Sequence, residues 1–160
     1  MNEWHDLFVA TAGSSAALTG LIFVGVSINL SRILSFPNLP GRALLSIILS
    51  GAILIFSIVL LMPAQSLAAA CFETLFIGAC TLLLMLSIDI SIVKKTEKEY
   101  KNASILNMLF NQRAVLPYLI ATMFFLFNNE HGFYWMVVAF ILSIIKAIAD
   151  AWVLLIEINR

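Results

Sequence analysis

The chain has 160 residues, of which 62% are hydrophobic and 11% are charged, and its formal charges sum to zero. Soluble domains are typically about 45–50% apolar and about 25% charged. A small soluble domain cannot hide so much apolar surface, so the composition excludes that class and favours lipid as the solvent. We predict an all-α protein, a polytopic transmembrane helical bundle. We expect membrane lipid as a partner and no nucleic acid.

Five apolar segments reach about 20 residues each, the length that a membrane-spanning helix requires. The predicted spans cover about residues 7–30, 43–62, 71–93, 109–127 and 132–156. These spans account for most of the chain. We therefore expect a single membrane domain over residues 1–160 and no soluble domain.

The first span follows an acidic leading segment, Met1–Asp6, which contains Glu3 and Asp6 but no Lys or Arg. A secretory signal peptide instead has a basic leading region and a small-residue cleavage site. We therefore expect an uncleaved span whose short acidic tail crosses the membrane.

Two sets of small side chains recur along the first span at helical spacing. The first set is Ala12, Ala16 and Gly20. Small residues let helices approach closely in a membrane. The second set lies on an adjacent face and carries hydroxyl groups: Thr11, Ser15 and Thr19. We expect this helix in a central position, against other spans or against its copies in an oligomer. Both an internal packing helix and a hydroxyl-lined pore helix fit the pattern.

The second and third spans are joined by a short connection that contains Pro63 and Gln65. The third span holds both cysteines, Cys71 and Cys80, which lie about 13 Å apart along one helix. That separation is too large for a disulfide. The third span also carries a charge, Asp89, about one turn before Lys94.

The fourth span is the least apolar of the five. Its uninterrupted apolar stretch, Ala114–Phe127, measures about 21 Å as a helix. To cross, the span must include Leu109–Arg113, and Pro117 lies inside it. A re-entrant or interfacial segment is the alternative.

The fifth span follows the short connection Asn128–His131 and carries two charges. Lys146 and Asp150 are four residues apart, so they lie on one face of a helix and form an i,i+4 pair.

The distribution of Lys and Arg predicts the orientation of the five spans. Eight of the nine cations fall on the side of the loops 31–42 and 94–108 and of the C-terminus, or at its edge. The ninth is Lys146. Cytoplasmic loops are enriched in Lys and Arg, so we predict an N-out/C-in topology. Trp4 and Phe133–Trp135 would then mark the outer interface.

Polar residues inside the spans gather at one predicted depth, in the inner half of the membrane. They are Asn29, Asp89, Arg113, Lys146 and Asp150. Charges in lipid are costly and suggest function by default, whereas a neutral paired set can also be structural. A structural network, an ion or proton path and lipid-headgroup contact all remain open.

The sequence contains no catalytic signature: no phosphate-binding glycine loop, no nucleophile elbow and no paired metal-ligand motif. The predicted outer side has several carboxylates and histidines at spacings that do not indicate a metal site: Glu3, His5, Asp6, Glu73, Glu130 and His131. We expect no enzyme activity, no metal and no cofactor. The basic loop Lys94–Lys101 is expected to contact anionic headgroups.

Several segments resemble a group of small bacterial inner-membrane proteins of unknown function. They are Phe8–Ala10, Ala16–Val24, Ser27–Arg32, Leu39–Arg42 and Ala151–Glu157, about a third of the chain. Some members of that group are labelled as modulators of a membrane-bound protease. The resemblance implies a multi-pass protein of the bacterial cytoplasmic membrane and supplies no functional residues.

The leading functional hypothesis from the sequence is a homo-oligomeric membrane protein that conducts ions or small solutes, with the first span near the axis. The alternative is a regulatory or scaffolding subunit of a larger membrane complex, which would have a membrane-protein partner.

Overall fold

The computed structural model describes residues 4–155. Over this range it contains six α-helices, which are α1 (His5–Ile28), α2 (Leu30–Leu34), α3 (Leu39–Leu60), α4 (Leu67–Lys95), α5 (Lys101–Leu126) and α6 (Gly132–Leu155). All of them except the five-residue α2 are long and apolar enough to cross a membrane. The prediction of an all-helical protein with five such helices is confirmed. Insertion in a membrane and the N-out/C-in orientation stay predictions.

The helix that carries the fourth predicted span is longer than the sequence indicated. Helix α5 begins at Lys101, whereas the span was predicted from about residue 109. It runs without interruption through the buried Pro117 to Leu126. Its 26 residues measure about 39 Å, more than the about 30 Å of a bilayer core. Its length therefore suits a complete crossing better than a re-entrant segment.

Two contacts show which ends of the long helices lie together. Asn38, just before α3, donates a 3.0 Å hydrogen bond to Thr96, just after α4. At the other end, the Trp4 ring before α1 stacks on Phe133 at the start of α6, with ring centroids 5.6 Å apart. We call the end that contains Asn38 and Thr96 the basic end, because the loops rich in Lys and Arg lie there.

Within one chain, α3 occupies the centre of the bundle and packs against α1, α4 and α6. Its buried face includes Ser46, Ser50 and Ser57, whose small side chains allow neighbouring helices to approach. Helix α1 packs mainly against α3 and is the least buried of the five long helices. The sequence predicted a central position against other spans or against copies in an oligomer, and within the single chain α1 lies at the periphery. A central position in an oligomer stays a prediction.

Helices α5 and α6 come close together where a tight turn joins them. Asn128 in this turn has a φ of 57°, a left-handed conformation that Asn adopts more readily than most residues. At Gly132, an added Cβ would lie 2.6 Å from the Phe125 ring and 2.8 Å from the Ala121 carbonyl oxygen. Only glycine fits there without displacing its neighbours.

Candidate functional site

The most distinctive polar group of the interior is the carboxylate of Asp89 on α4, whose residue is only 2% exposed. Two amides of α5 donate to its two oxygens: Asn111 at 2.7 Å and Gln112 at 3.2 Å. No cationic nitrogen of the described residues lies within 4.0 Å of it. Asp89 is thus hydrogen-bonded but has no direct ion pair in residues 4–155.

A second carboxylate, Asp150 on α6, has charged partners instead. The Lys146 ammonium one turn earlier donates a hydrogen bond to it and forms an i,i+4 ion pair. On its other side, an Arg42 guanidinium nitrogen of α3 lies 3.9 Å from the carboxylate. Lys146 and Asp150 also act electrostatically on Asp89. Four charged residues from three helices therefore form one electrically neutral group.

A cavity of about 620 Å³ connects this group to the basic end. Its lining includes Asn38 and Thr96 at the mouth, and Arg42 and Asp89 deeper in the bundle. We call it the vestibule. Since Asp89 lines the vestibule and yet is almost wholly buried, its carboxylate lies at the inner limit of a cavity, lined by both polar and apolar side chains, that opens at one end of the protein.

Beyond Asp89, towards the opposite end, the core is closed by aromatic rings. The rings of Phe56 and Tyr118 stack with centroids 4.3 Å apart, and the ring of Phe140 lies 6.0 Å from that of Tyr118. All three side chains are buried. We call these three residues the aromatic layer. In this conformation the vestibule is closed at its inner end.

Two unsatisfied oxygen atoms lie beside Asp89. The side-chain oxygens of Asn111 and Gln112 are buried and have no hydrogen-bond donor among the described residues. Buried polar atoms usually have partners, so this pair of free acceptors is unusual. Together with the two carboxylate oxygens, which accept the amide N–H groups, they give four oxygen acceptors on three neighbouring side chains.

The structure brings together three of the five polar residues predicted for the inner half: Asp89, Lys146 and Asp150. Asn29 lies apart from them and donates to the Gly25 carbonyl oxygen of its own helix at 3.1 Å. Arg113 makes no ion pair with them among residues 4–155 but lines one cavity together with Lys146 and Asp150. Arg113 is exposed, and its guanidinium carbon lies 5.8 Å from the centre of the Phe110 ring.

The residues predicted for a packing or pore face of the first span divide between two sides of α1. Ser15 is buried, and Thr11 shares a 2.8 Å hydrogen bond with Ser57 of α3. Thr19 and Ala12 are half-buried, whereas Ala16 and Gly20 are exposed. The hydroxyl face thus packs within the chain, and part of the small-residue face points outward.

Three residues of the site were missed by the sequence reasoning. Arg42 was counted only as a loop cation, and Asn111 and Gln112 only as residues needed to lengthen the fourth span. The sequence does contain one sign of this site. Asn111 and Gln112 are two adjacent amides in the apolar helix α5, at a depth similar to that of Asp89. Their direct pairing with Asp89 depends on the packing of α4 against α5, which the sequence pattern does not specify.

Across residues 4–155, no group of three or more His, Cys, Asp or Glu side chains is arranged to hold a metal ion. No protein-family model, curated protein or solved structure matches this chain. Its resemblance to small bacterial inner-membrane proteins therefore stays a prediction.

Proposed function

We propose that this protein transports a small monovalent cation, protons included, across a membrane, and that Asp89 is its cation-accepting group. Buried ionisable residues in a membrane are costly and mark ion pathways and proton relays by default. The observation that carries the proposal is the position of Asp89, a buried carboxylate at the inner limit of the vestibule, held by two amides and without an ion pair among the described residues.

The contrast with Asp150 supports this choice of residue. Asp150 is neutralised by Lys146 and approached by Arg42, which is how a buried carboxylate serves a structural role. Asp89 keeps a charge that no contacting cation cancels. Binding of a proton or a cation would therefore stabilise the carboxylate of Asp89 more than that of Asp150.

The aromatic layer would act as the barrier in this pathway. Apolar constrictions in channels gate by excluding water. Transport would require Phe56, Tyr118 and Phe140 to separate, so that Asp89 becomes accessible from the opposite end. The structure would then represent the closed state, open only to the basic end.

We further propose an N-out/C-in, homo-oligomeric protein of the bacterial cytoplasmic membrane. Lipid-exposed Gly20 and Ala16 support association of α1 with a copy of itself, because small residues permit close helix contact. Asp89 lies on α4, which makes no substantial contact with α1. In this proposal α1 is a subunit contact, and each chain carries its own pathway.

Reconstitution in liposomes tests the proposal. Gradients of H⁺, K⁺ and Na⁺ are imposed one at a time, and internal indicator dyes report flux against protein-free liposomes. We expect flux of at least one of these ions above the protein-free control. If none of the three gradients dissipates faster with protein present, the protein is not a cation transporter.

A regulatory or scaffolding role is the second candidate, and the exposed small-residue side of α1 favours it as well. A different membrane protein could pack there in place of a second copy. Co-purification of one partner at constant stoichiometry, together with absence of ion flux, would support this role over transport.

A further inference from the structure

A second cavity, of about 590 Å³, lies between α5 and α6 and is distinct from the vestibule. Its walls include the apolar side chains of Phe110, Leu142, Ile145 and Val153. Leu142 and Ile145 are also exposed on the outer surface of the bundle. We call this cavity the α5–α6 groove. Because its walls belong to the surface that faces lipid, a molecule dissolved in the membrane can reach it from the side.

The polar part of the groove is strongly basic. Arg42, Arg113 and Lys146 line it, and Asp150 is the one carboxylate in the lining. Lys146 is neutralised by Asp150, while Arg113 has no ion pair among residues 4–155. Arg42 and Lys146 belong to the neutral group that also contains Asp89. The charge in excess at the groove is therefore that of Arg113, next to an apolar wall. This combination is complementary to an anion that carries a hydrocarbon chain.

The depth of Arg113 fits a lipid headgroup. Arg113 precedes Leu126, the last residue of α5, by thirteen residues, or about 20 Å of helix. In a bilayer core of about 30 Å its backbone would lie about 10 Å below the surface at the basic end. An arginine at that depth extends its side chain towards the headgroups. A phosphate accepts two parallel hydrogen bonds from a guanidinium and so stabilises the charge there.

We propose that the α5–α6 groove binds one anionic phospholipid from the leaflet at the basic end. Arg113 and Arg42 bind its phosphate, and one acyl chain lies along Leu142, Ile145 and Val153. Arg42 and Asn107 line both the groove and the vestibule, so the bound phosphate lies beside the vestibule wall. This inference does not depend on cation transport by Asp89.

Native mass spectrometry of the purified, delipidated protein tests the proposal. Phosphatidylglycerol and phosphatidylcholine of equal chain length are titrated separately against the wild type, R113Q, L142W and L116W. R113Q removes the charge at a surface residue, and L142W fills the apolar wall. L116W is the matched control for L142W, because Leu116 is an exposed leucine on the same helix as Arg113 and lies outside the groove.

We expect the wild type to bind one phosphatidylglycerol in preference to phosphatidylcholine. R113Q should bind it about tenfold more weakly, as for a lost hydrogen bond to a charged group. L142W should also weaken binding, and L116W should leave it unchanged. Equal binding of both lipids, or an unchanged affinity in R113Q, would overturn the proposal. Displacement of phosphatidylglycerol by inorganic phosphate at the same concentration would also overturn it, since the acyl chain would then contribute nothing.

Discussion

The Asn111 side-chain nitrogen lies 2.7 Å from an oxygen of the Asp89 carboxylate, and this hydrogen bond joins α5 to α4 in the interior of the bundle. An amide can donate to a charged carboxylate without neutralising it. In the proposed function, this carboxylate, held by amides and not by an ion pair, accepts the cation that enters from the vestibule.

Substitution of Asn111 by Leu should weaken both folding and transport. Removing one partner of a buried hydrogen bond to a charged group costs about 1.5–3 kcal/mol. N111L should therefore lower the thermal unfolding midpoint in detergent and reduce cation flux in liposomes. N102L is the control, since Asn102 is an exposed amide near the start of α5 and lies outside the vestibule. Equal effects of the two substitutions would contradict a special role for the Asn111–Asp89 bond.

The aromatic layer makes a separate prediction about the closed state. Y118L removes the ring that stacks on Phe56, so it should increase flux at the same gradient. Y118F keeps the ring and loses only the 3.2 Å contact with Ser143, so its flux should stay near that of the wild type. Unfolding midpoints of both variants establish that they are folded. A folded Y118L with unchanged flux would exclude Tyr118 from the barrier.

Gly132 provides a test of the packing between α5 and α6. G132A should destabilise the protein by about 1–3 kcal/mol, because the added methyl group overlaps Phe125 and the Ala121 carbonyl oxygen. G51A is the control, since an added Cβ at Gly51 of α3 meets no atom within 4 Å. Unfolding in a denaturing detergent measures both. If G132A and G51A change the stability of the protein equally, α5 and α6 do not approach each other closely at Gly132.

The exposed side of α1 predicts how copies associate. G20L should shift a homo-oligomer towards smaller species, because a large side chain prevents close contact at this position. C80L introduces the same side chain at a small, exposed residue on α4 and should leave the assembly unchanged. Light scattering in detergent gives the masses. A wild-type oligomer that G20L leaves intact would rule out α1 as the subunit contact.

Hydropathy and helix length were enough to predict the five long helices, because each apolar segment must form a complete helix of membrane thickness. The position of α1 was not predictable from its small residues. Small side chains also occur in α3, at Ser46, Ser50 and Ser57, and it is this helix that packing places at the centre.

The candidate site could be predicted in part. The i,i+4 spacing of Lys146 and Asp150 is local, and so the sequence indicated their pairing directly. The approach of Arg42 to Asp150 and of Asn111 to Asp89 depends on how separate helices rotate about their axes. Depth counting alone also assigned Asn29 and Arg113 to the group, although one bonds to its own helix and the other faces outward.

Cation flux through D89N in liposomes tests the central claim most directly. The substitution keeps the size of the side chain and removes its charge, and S87A on the exposed side of α4 serves as the control. For the ion that the wild type transports, we predict that D89N lowers the flux roughly tenfold or more, corresponding to at least about 1.4 kcal/mol, while S87A does not change it. Wild-type flux in a folded D89N would contradict the assignment of Asp89 as the cation-accepting group.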